Sequence, residues 1–247
     1  RERNGQAAIV AANRVMANVD DLTNMIRGIR DLLAPDGLFV FETARLVDLL
    51  DGLLFDTVHH EHIDYAAVRP LQMFFHRHDL ELIDIQHVPV KGGSLRGIVQ
   101  HAGGGRRVSP AVAEMIAHEE SLGIYTAEPF KVFTAKIDAV RTALQDLVRQ
   151  LQAEGKSIAG YGASIGSTTL IYHLGLGDAL SFLADDDTRN QNLFSPGHHI
   201  PVYPSPMIYE KNPDYIVILA WRYADPIIRK HQAFRDQGGK FIIPFPN

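Results

Sequence analysis

The 247-residue sequence has no cysteine and a single tryptophan. The lack of cysteine excludes disulfides and thiolate metal sites. It fits a reducing cytoplasm, although periplasmic proteins can lack cysteine too. No apolar run approaches the ~18 residues of a membrane span, and no signal-peptide pattern is visible, so the chain reads as soluble with no membrane partner. Basic runs are missing as well. The net charge of -5 is mildly acidic and leaves no electrostatic footprint for nucleic acid. The expected partner is a small-molecule substrate. Nothing in the pattern encodes an oligomeric state.

In chain order, the length suits two medium domains, and the start at Arg1-Glu2-Arg3-Asn4 reads as part of a longer polypeptide. Residues 7–13 read as a short buried strand. Leu22 to Leu33 carries apolar residues at helical spacing, with Asp20 or Asp21 as its cap. Pro35-Asp36-Gly37 turns into a second buried strand, Leu38 to Glu42, which completes a βαβ unit. A βαβ unit with no strand before it is half of a doubly wound sheet, so the first nucleotide-binding turn is expected ahead of Arg1. Leu46–Leu54 and Leu71–His78 read as short helices. Glu81–Val88 and Leu95–Gln100 alternate apolar and polar residues around Lys91-Gly92-Gly93-Ser94, which predicts an antiparallel hairpin. Residues 101–109 form an exposed turn.

From Pro110 to about Glu154 the spacing predicts helix, with Ile137, Val140, Leu144, Leu147, Val148 and Leu151 as an apolar packing stripe. A strand from Ser157 then runs into Gly160-Tyr161-Gly162 and Gly166, followed by a helix over Ser167–His173. Strands are expected at Leu180–Ala184, Tyr215–Ala220 and Lys240–Pro244, with a helix at Pro226–Gln237. This alternation predicts an α/β fold with a Rossmann-like C-terminal domain. The expected boundaries are 1–109, a helical connection over 110–155, and 156–247.

Two stretches carry chemistry. Phe55–Tyr65 sets His59, His60 and His62 among carboxylates, and imidazoles titrate near neutral pH, so the run can move protons or bind a metal. A metal site of these three histidines, with hydrolase activity, is one reading, although only a loop could turn all three to one point. The second stretch is the G-x-G-x-x-x-G turn of Gly160, Gly162 and Gly166. It would let a phosphate approach backbone N–H groups, with Ser164, Ser167 and Thr168 as added donors but no Lys or Arg. Asp185 follows ~20 residues later, where a ribose ligand would sit, so an NAD-dependent dehydrogenase or isomerase is a further reading.

A more specific pattern runs through the chain. Ala12-Asn13 with Val19, Leu33-Ala-Pro-Asp-Gly37 and Phe39-Val-Phe-Glu42 resemble the second half of a class I S-adenosylmethionine methyltransferase domain. Phe55-Asp56 with His60-Glu61-His62, then Pro89-Val90 with Gly92-Gly93-Ser94-Leu95-Arg96, Gly160-Tyr-Gly-Ala163, and Pro196-Gly197 with His199-Ile200-Pro201 resemble, in order, the sugar C-methyltransferase family.

That resemblance implies the C-terminal half of a class I methyltransferase sheet followed by a second Rossmann-like domain, with methylation of a TDP-linked keto-deoxysugar or similar compound. It implies His62 as catalytic base, Glu61 beside it as an orienting or polarising carboxylate, and His59 in the place of the family's tyrosine. It further implies that Asn13 and Glu42 meet S-adenosylmethionine, whose main binding loop is expected upstream, so that these residues alone would bind the donor poorly. Lys91, Gly92, Gly93, Arg96, Gly160, Tyr161, Gly162, Ser167 and Asp185 would meet the substrate. The sequence departs from the family at Asn18, His59, Lys91 and Gly166, where His, Tyr, His and Lys are usual. Either the substrate differs or residues such as Lys91 and Arg96 compensate; if the departures remove the chemistry, an inert nucleotide-sugar-binding module is the reading they favour.

Overall fold

In the computed structural model, which describes residues 5–245, the chain divides into two compact units. The first contains the residues up to Leu54 together with His60–Phe133. The second contains Phe55–His59 and the residues from Thr134 onward.

The first unit opens with the expected βαβ: β1 (Ala7–Asn13), α1 (Leu22–Leu32) and β2 (Leu33–Ala44), with β1 and β2 parallel. Asp21 caps α1 by accepting a 2.9 Å bond from the Asn24 N–H. Two details differ from the sequence reading. β1 is mostly exposed rather than buried, with Ile9 65% exposed, because it is bonded only to β2 and lies at the sheet edge. Pro35–Gly37 does not precede the second strand but lies within it. The register slips there, with Ala7 opposite Leu33 and Ile9 already opposite Leu38.

After α2 (Leu46–Asp51) and α3 (Val68–His76), the hairpin of β3 (Leu80–Val88) and β4 (Ser94–His101) forms as expected. β4 inserts antiparallel between β2 and β3, giving the order β1-β2-β4-β3. The core is aromatic. The rings of Phe39, Phe41 and Phe75 lie 5.5–6.3 Å apart among Ile26, Leu33, Leu80 and Val99, all fully buried.

The long helical stretch is two helices rather than one, α4 (Pro110–Ser121) and α5 (Glu128–Ala153). Between them Tyr125 donates back to Glu119, a fully buried carboxylate whose two oxygens also share the Val68 N–H at 2.8 and 3.1 Å. Glu119 thus supplies from a distance the N-terminal cap that α3 lacks locally. Of the predicted stripe on α5, Ile137, Leu144, Val148 and Leu151 are buried, while Leu147 stays exposed.

The second unit is a five-stranded parallel sheet in the order β7-β6-β5-β8-β9. Its elements are β5 (Ile158–Tyr161), α6 (Ile165–Leu174), β6 (Leu183–Asp185), β7 (Val202–Pro204), α7 (Met207–Lys211), β8 (Tyr215–Ile218), α8 (Ala224–Lys230), α9 (Gln232–Asp236) and β9 (Lys240–Ile242). The α/β class is as expected in both units. β6 starts three residues later than the apolar run suggests and ends on Asp185 itself. β7 and α7 were not anticipated, being too short for periodicity to register. The helix expected over Pro226–Gln237 breaks at His231, whose buried ring is bonded to two tyrosines. No helix among the described residues is long and apolar enough to cross a membrane.

Candidate functional site

In the first unit the histidine segment is held across the carboxyl ends of the two parallel strands. The Ile63 N–H donates to the Ala17 carbonyl at 2.8 Å, just beyond β1. Ala66 donates to the Ala44 carbonyl at 3.1 Å and accepts from the Leu46 N–H at 2.9 Å, and it forms a parallel bridge with Arg45 at the end of β2. These bonds fix the backbone on both sides of Asp64-Tyr65. His62 is half-buried with its ring edge-on to Tyr65 at 6.3 Å, and Glu61 is exposed. In open α/β sheets the carboxyl ends of the strands are where ligands bind.

A cavity of about 290 Å³ opens at this edge. Met16 and Ala17 from the β1–α1 connection and Leu22 at the start of α1 line one side, with Thr43 near the end of β2. Asp64, Tyr65 and the first turns of α3, including Phe74, line the other. The surface is mostly apolar, with the Thr43 and Tyr65 hydroxyls and the Asp64 carboxylate as its polar groups. Burial pushes the Tyr65 phenol above its ordinary pKa, which keeps it a hydrogen-bond donor at neutral pH.

Three of the residues singled out in the sequence form one row across the sheet. Asn13 is opposite Glu42, and Glu42 is opposite Arg96. Paired positions project to the same face, and Arg96 Nη2 is 3.0 Å from Glu42 Oε2. One oxygen of the buried Glu42 is therefore already neutralised, while the side chain of Asn13 is exposed at the strand end.

Lys91, Gly92 and Gly93 form the β3–β4 turn. Packing accounts for the second glycine: Gly93 has φ +121°, and a Cβ there would overlap the Asp48 carboxyl of α2. Asp48 is in turn held by His87 at 3.0 Å and Arg45 at 3.6 Å. His59 groups with the second unit, and Glu61 and His62 with the first. No group of three or more His, Asp or Glu among the described residues is placed to hold a metal ion, so the reading of a trio of His59, His60 and His62 finds no support.

In the second unit the glycine turn sits at the carboxyl end of β5. Both Asp185 oxygens serve its architecture. Oδ2 accepts from the Ala163 N–H at 2.6 Å and Oδ1 from the Asp187 N–H at 2.7 Å, with Asn190 adding a 3.3 Å bond. Ser164 caps α6, and the buried Ser167 hydroxyl lies 3.2 Å from it. A cavity of about 230 Å³ lies beside this helix start, its polar lining being Ser164, Ser167, Thr168, Asn190 and Ser195, with no cation.

Tyr161 points elsewhere. Its hydroxyl donates to Asp186 Oδ2 at 2.7 Å and lies 3.2 Å from His231 Nε2. Burial pushes Asp186 upward, but bonds from Lys230, Ser205 and Tyr161 outweigh this and hold the carboxyl down at about 2. Burial and the neighbouring Asp186 drive Tyr161 well above the usual phenol range.

Residues 89–246 match the family described as a C-methyltransferase C-terminal domain. The chain belongs to this C-methyltransferase family. Over 245 residues it is 37% identical to the C-methyltransferase NovU of Streptomyces niveus. That alignment takes in 99% of this chain and 58% of NovU, so the chain spans a little over half the length of this curated relative. Partial likenesses to solved structures include the mitomycin 7-O-methyltransferase MmcR, 13% identical over 41% of this chain and 32% of that one, with a TM-score of 0.32. Magnesium protoporphyrin IX methyltransferase (ChlM) from Synechocystis PCC 6803 is 10% identical over 40% of this chain and 47% of that one, also with a TM-score of 0.32.

Within the family framework the structure adds residues that the sequence reading passed over. Arg14, with φ +56°, donates from its backbone to the Glu42 carbonyl at 2.7 Å and from Nη1 to Ser94 Oγ at 3.0 Å, so a cation stands beside the Asn13–Glu42 row. Thr43, Asp64 and Tyr65 line the cavity. Nothing in local spacing marks them. Their only sequence signal is adjacency to Glu42 and His62.

Proposed function

We propose that this chain supplies the acceptor side and the C-terminal domain of an S-adenosylmethionine-dependent C-methyltransferase that acts on a nucleotide-linked keto-sugar or a similar small ketone. The observation that carries this is the backbone anchoring of Ile63 to Ala17 and of Ala66 to Ala44, which fixes the chain following Glu61-His62 at the carboxyl edge of the β1–β2 sheet, where Asp64 and Tyr65 line an apolar cavity.

A carbon next to a ketone becomes nucleophilic only after loss of its α-proton. His62 accepts that proton on its imidazole, leaving an enolate with the electron pair delocalised onto the former carbonyl oxygen. Glu61 is the neighbouring carboxylate that stabilises the resulting imidazolium. Thr43 and Tyr65 are the donors near enough to the cavity to hold a polar group of the acceptor. Asn13, exposed at the strand end, and the apolar Met16 and Leu22 fit the methyl-donor side, with Glu42 and Arg14 behind them. When bound, S-adenosylmethionine supplies an electrophilic methyl carbon. Lys91, Gly92, Gly93, Arg96, Gly160, Gly162, Ser167 and Asp185 belong to substrate holding in this reading, the glycines and Asp185 through backbone placement, while Tyr161, turned to Asp186 and His231, supports the glycine turn from behind.

Proton removal can be tested separately from methyl transfer. A polypeptide of the relative's length, incubated with a nucleotide-linked keto-deoxysugar in deuterated buffer, is expected to exchange the α-proton, and a His62→Asn variant to lose that exchange. Undiminished exchange in the variant would sink His62 as base.

A further inference from the structure

We propose that Asp56 and Arg222 are a positioning pair that seats the start of the histidine segment in the ligand crevice of the second unit; the link to catalysis rests on the function proposed above. In the β7-β6-β5-β8-β9 order the chain winds one way from β5 and the other way from β8, so the carboxyl ends of β5 and β8 form the switch point where a parallel sheet of this kind binds its ligand.

That place is taken by the chain itself. The 3-10 turn Phe55–Thr57 packs on one face of α6 through Gly166, Thr169 and His173, spaced i, i+3 and i+7. A Cβ at Gly166 would lie only 2.9 Å from the Asp56 carbonyl oxygen and 3.2 Å from Oδ2, so the turn can sit there only because that position has no side chain. Thr169 Oγ1 donates to the Val58 carbonyl at 3.4 Å, and the Phe55 ring lies 4.3 Å from that of His173.

Arg222 completes the seat from the opposite side. It belongs to the 3-10 turn Trp221–Tyr223 beyond β8, and its Nη2 is 2.8 Å from Asp56 Oδ2. Asp56 is only 7% exposed and its desolvated carboxylate needs a partner, which Arg222 supplies. The sequence resemblance expects a lysine at 166. Here position 166 is filled by the approaching turn, and the cation comes from 222. A carboxylate held at the first turn of α6 also repels a phosphate on that face, which weighs against the NAD reading.

The five residues Phe55–His59 group with the second unit while the chain on both sides belongs to the first. Within the second unit the pair therefore fixes Phe55–His59 on α6. Hydrogen exchange on the 247-residue chain tests the seat without any activity. Arg222→Met and Asp56→Asn are expected to speed amide exchange across 55–60 by about tenfold or more, with β5 and β8 unchanged and Arg222→Lys close to wild type. Unchanged exchange at 55–60, or equal loosening of β5 and β8, overturns the proposal.

If Arg222→Met does not fold, the double variant Asp56→Asn with Arg222→Met, which removes the buried charge, carries the same comparison. In a polypeptide of the relative's length, Arg222→Met should lower kcat roughly a hundredfold at nearly constant KM, with Arg222→Lys restoring most of it. If the wild type transfers no methyl group, the functional reading fails while exchange still decides the seat.

Discussion

At the scale of single residues, two histidines have opposite fates. His62 is half-buried on a segment fixed by backbone bonds, and as a general base it should be worth ~10²–10⁴ in turnover, so the fall in kcat for His62→Asn measures its role. His231 is buried with Nε2 against Tyr161 and Nδ1 against Tyr209. Tyr161 gives its proton to Asp186, so its oxygen accepts from Nε2–H and Tyr209 donates to Nδ1, which sets a neutral tautomer.

Burial, and then the charge of Lys230, pull the His231 pKa below its ordinary value. The unfolded chain therefore binds this proton more readily than the native one. The contribution is complete above the unfolded pKa of ~6.5 and is lost as pH falls through the lowered native value. Thermal melts between neutral pH and ~pH 5 should show a steeper loss in the wild type than in His231→Gln. Parallel slopes would contradict the assigned neutral state.

Single elements depend on side chains far away in sequence. α3 has no local cap, and Glu119 supplies one from α4 with the help of Tyr125. Burial and the adjacent carboxylate drive the Tyr125 hydroxyl well above the phenol range, so it remains a donor. Glu119→Ala would leave the Val68 N–H and the Tyr125 hydroxyl without this acceptor. It is expected to cost ~2–4 kcal/mol in urea unfolding, from two groups at ~1–3 each, partly relieved by water. Because α3 walls the cavity that Asp64 and Tyr65 line, acceptor KM should rise in the same variant. The β3–β4 turn is a second case. Gly93→Ala forces a Cβ into Asp48 at a φ of +121° and should lower stability by at least ~1–3 kcal/mol by the same assay.

For the whole molecule, the proposed function turns Asn13 and Glu42 to the methyl donor, and, among the described residues, neither parallel strand of the first unit runs through a glycine turn into a helix. Calorimetric titration of the 247 residues with S-adenosylmethionine is expected to give no saturable heat, whereas a polypeptide of the length of NovU should bind it. Saturable binding to the shorter chain would show that the donor is held by residues other than those named.

Much of this was readable from the sequence, and the reasons are local. Repeating periods revealed α1, α5, β2 and the hairpin, because a helix or strand with one buried face must repeat its apolar residues at 3.6 or 2. The order of short motifs placed the chain in its family, and clustered imidazoles marked the segment at His62. The exposure of β1 was not readable, because an edge strand and a buried one carry the same apolar residues. Nor was the break at His231, which a tertiary network imposes on a helical pattern.

Glu42 with Arg96, Glu119 with Val68, and Asp56 with Arg222 lie 54, 51 and 166 positions apart. Composition and motif order by themselves determined the α/β class, the family and the residue types available for proton transfer. Only the tertiary structure decided which carboxylates are already paired, which glycines answer to packing, and that Phe55–Val58 seats on α6. The physical reason is that desolvation and close packing join groups remote in sequence, and neither leaves a periodic trace.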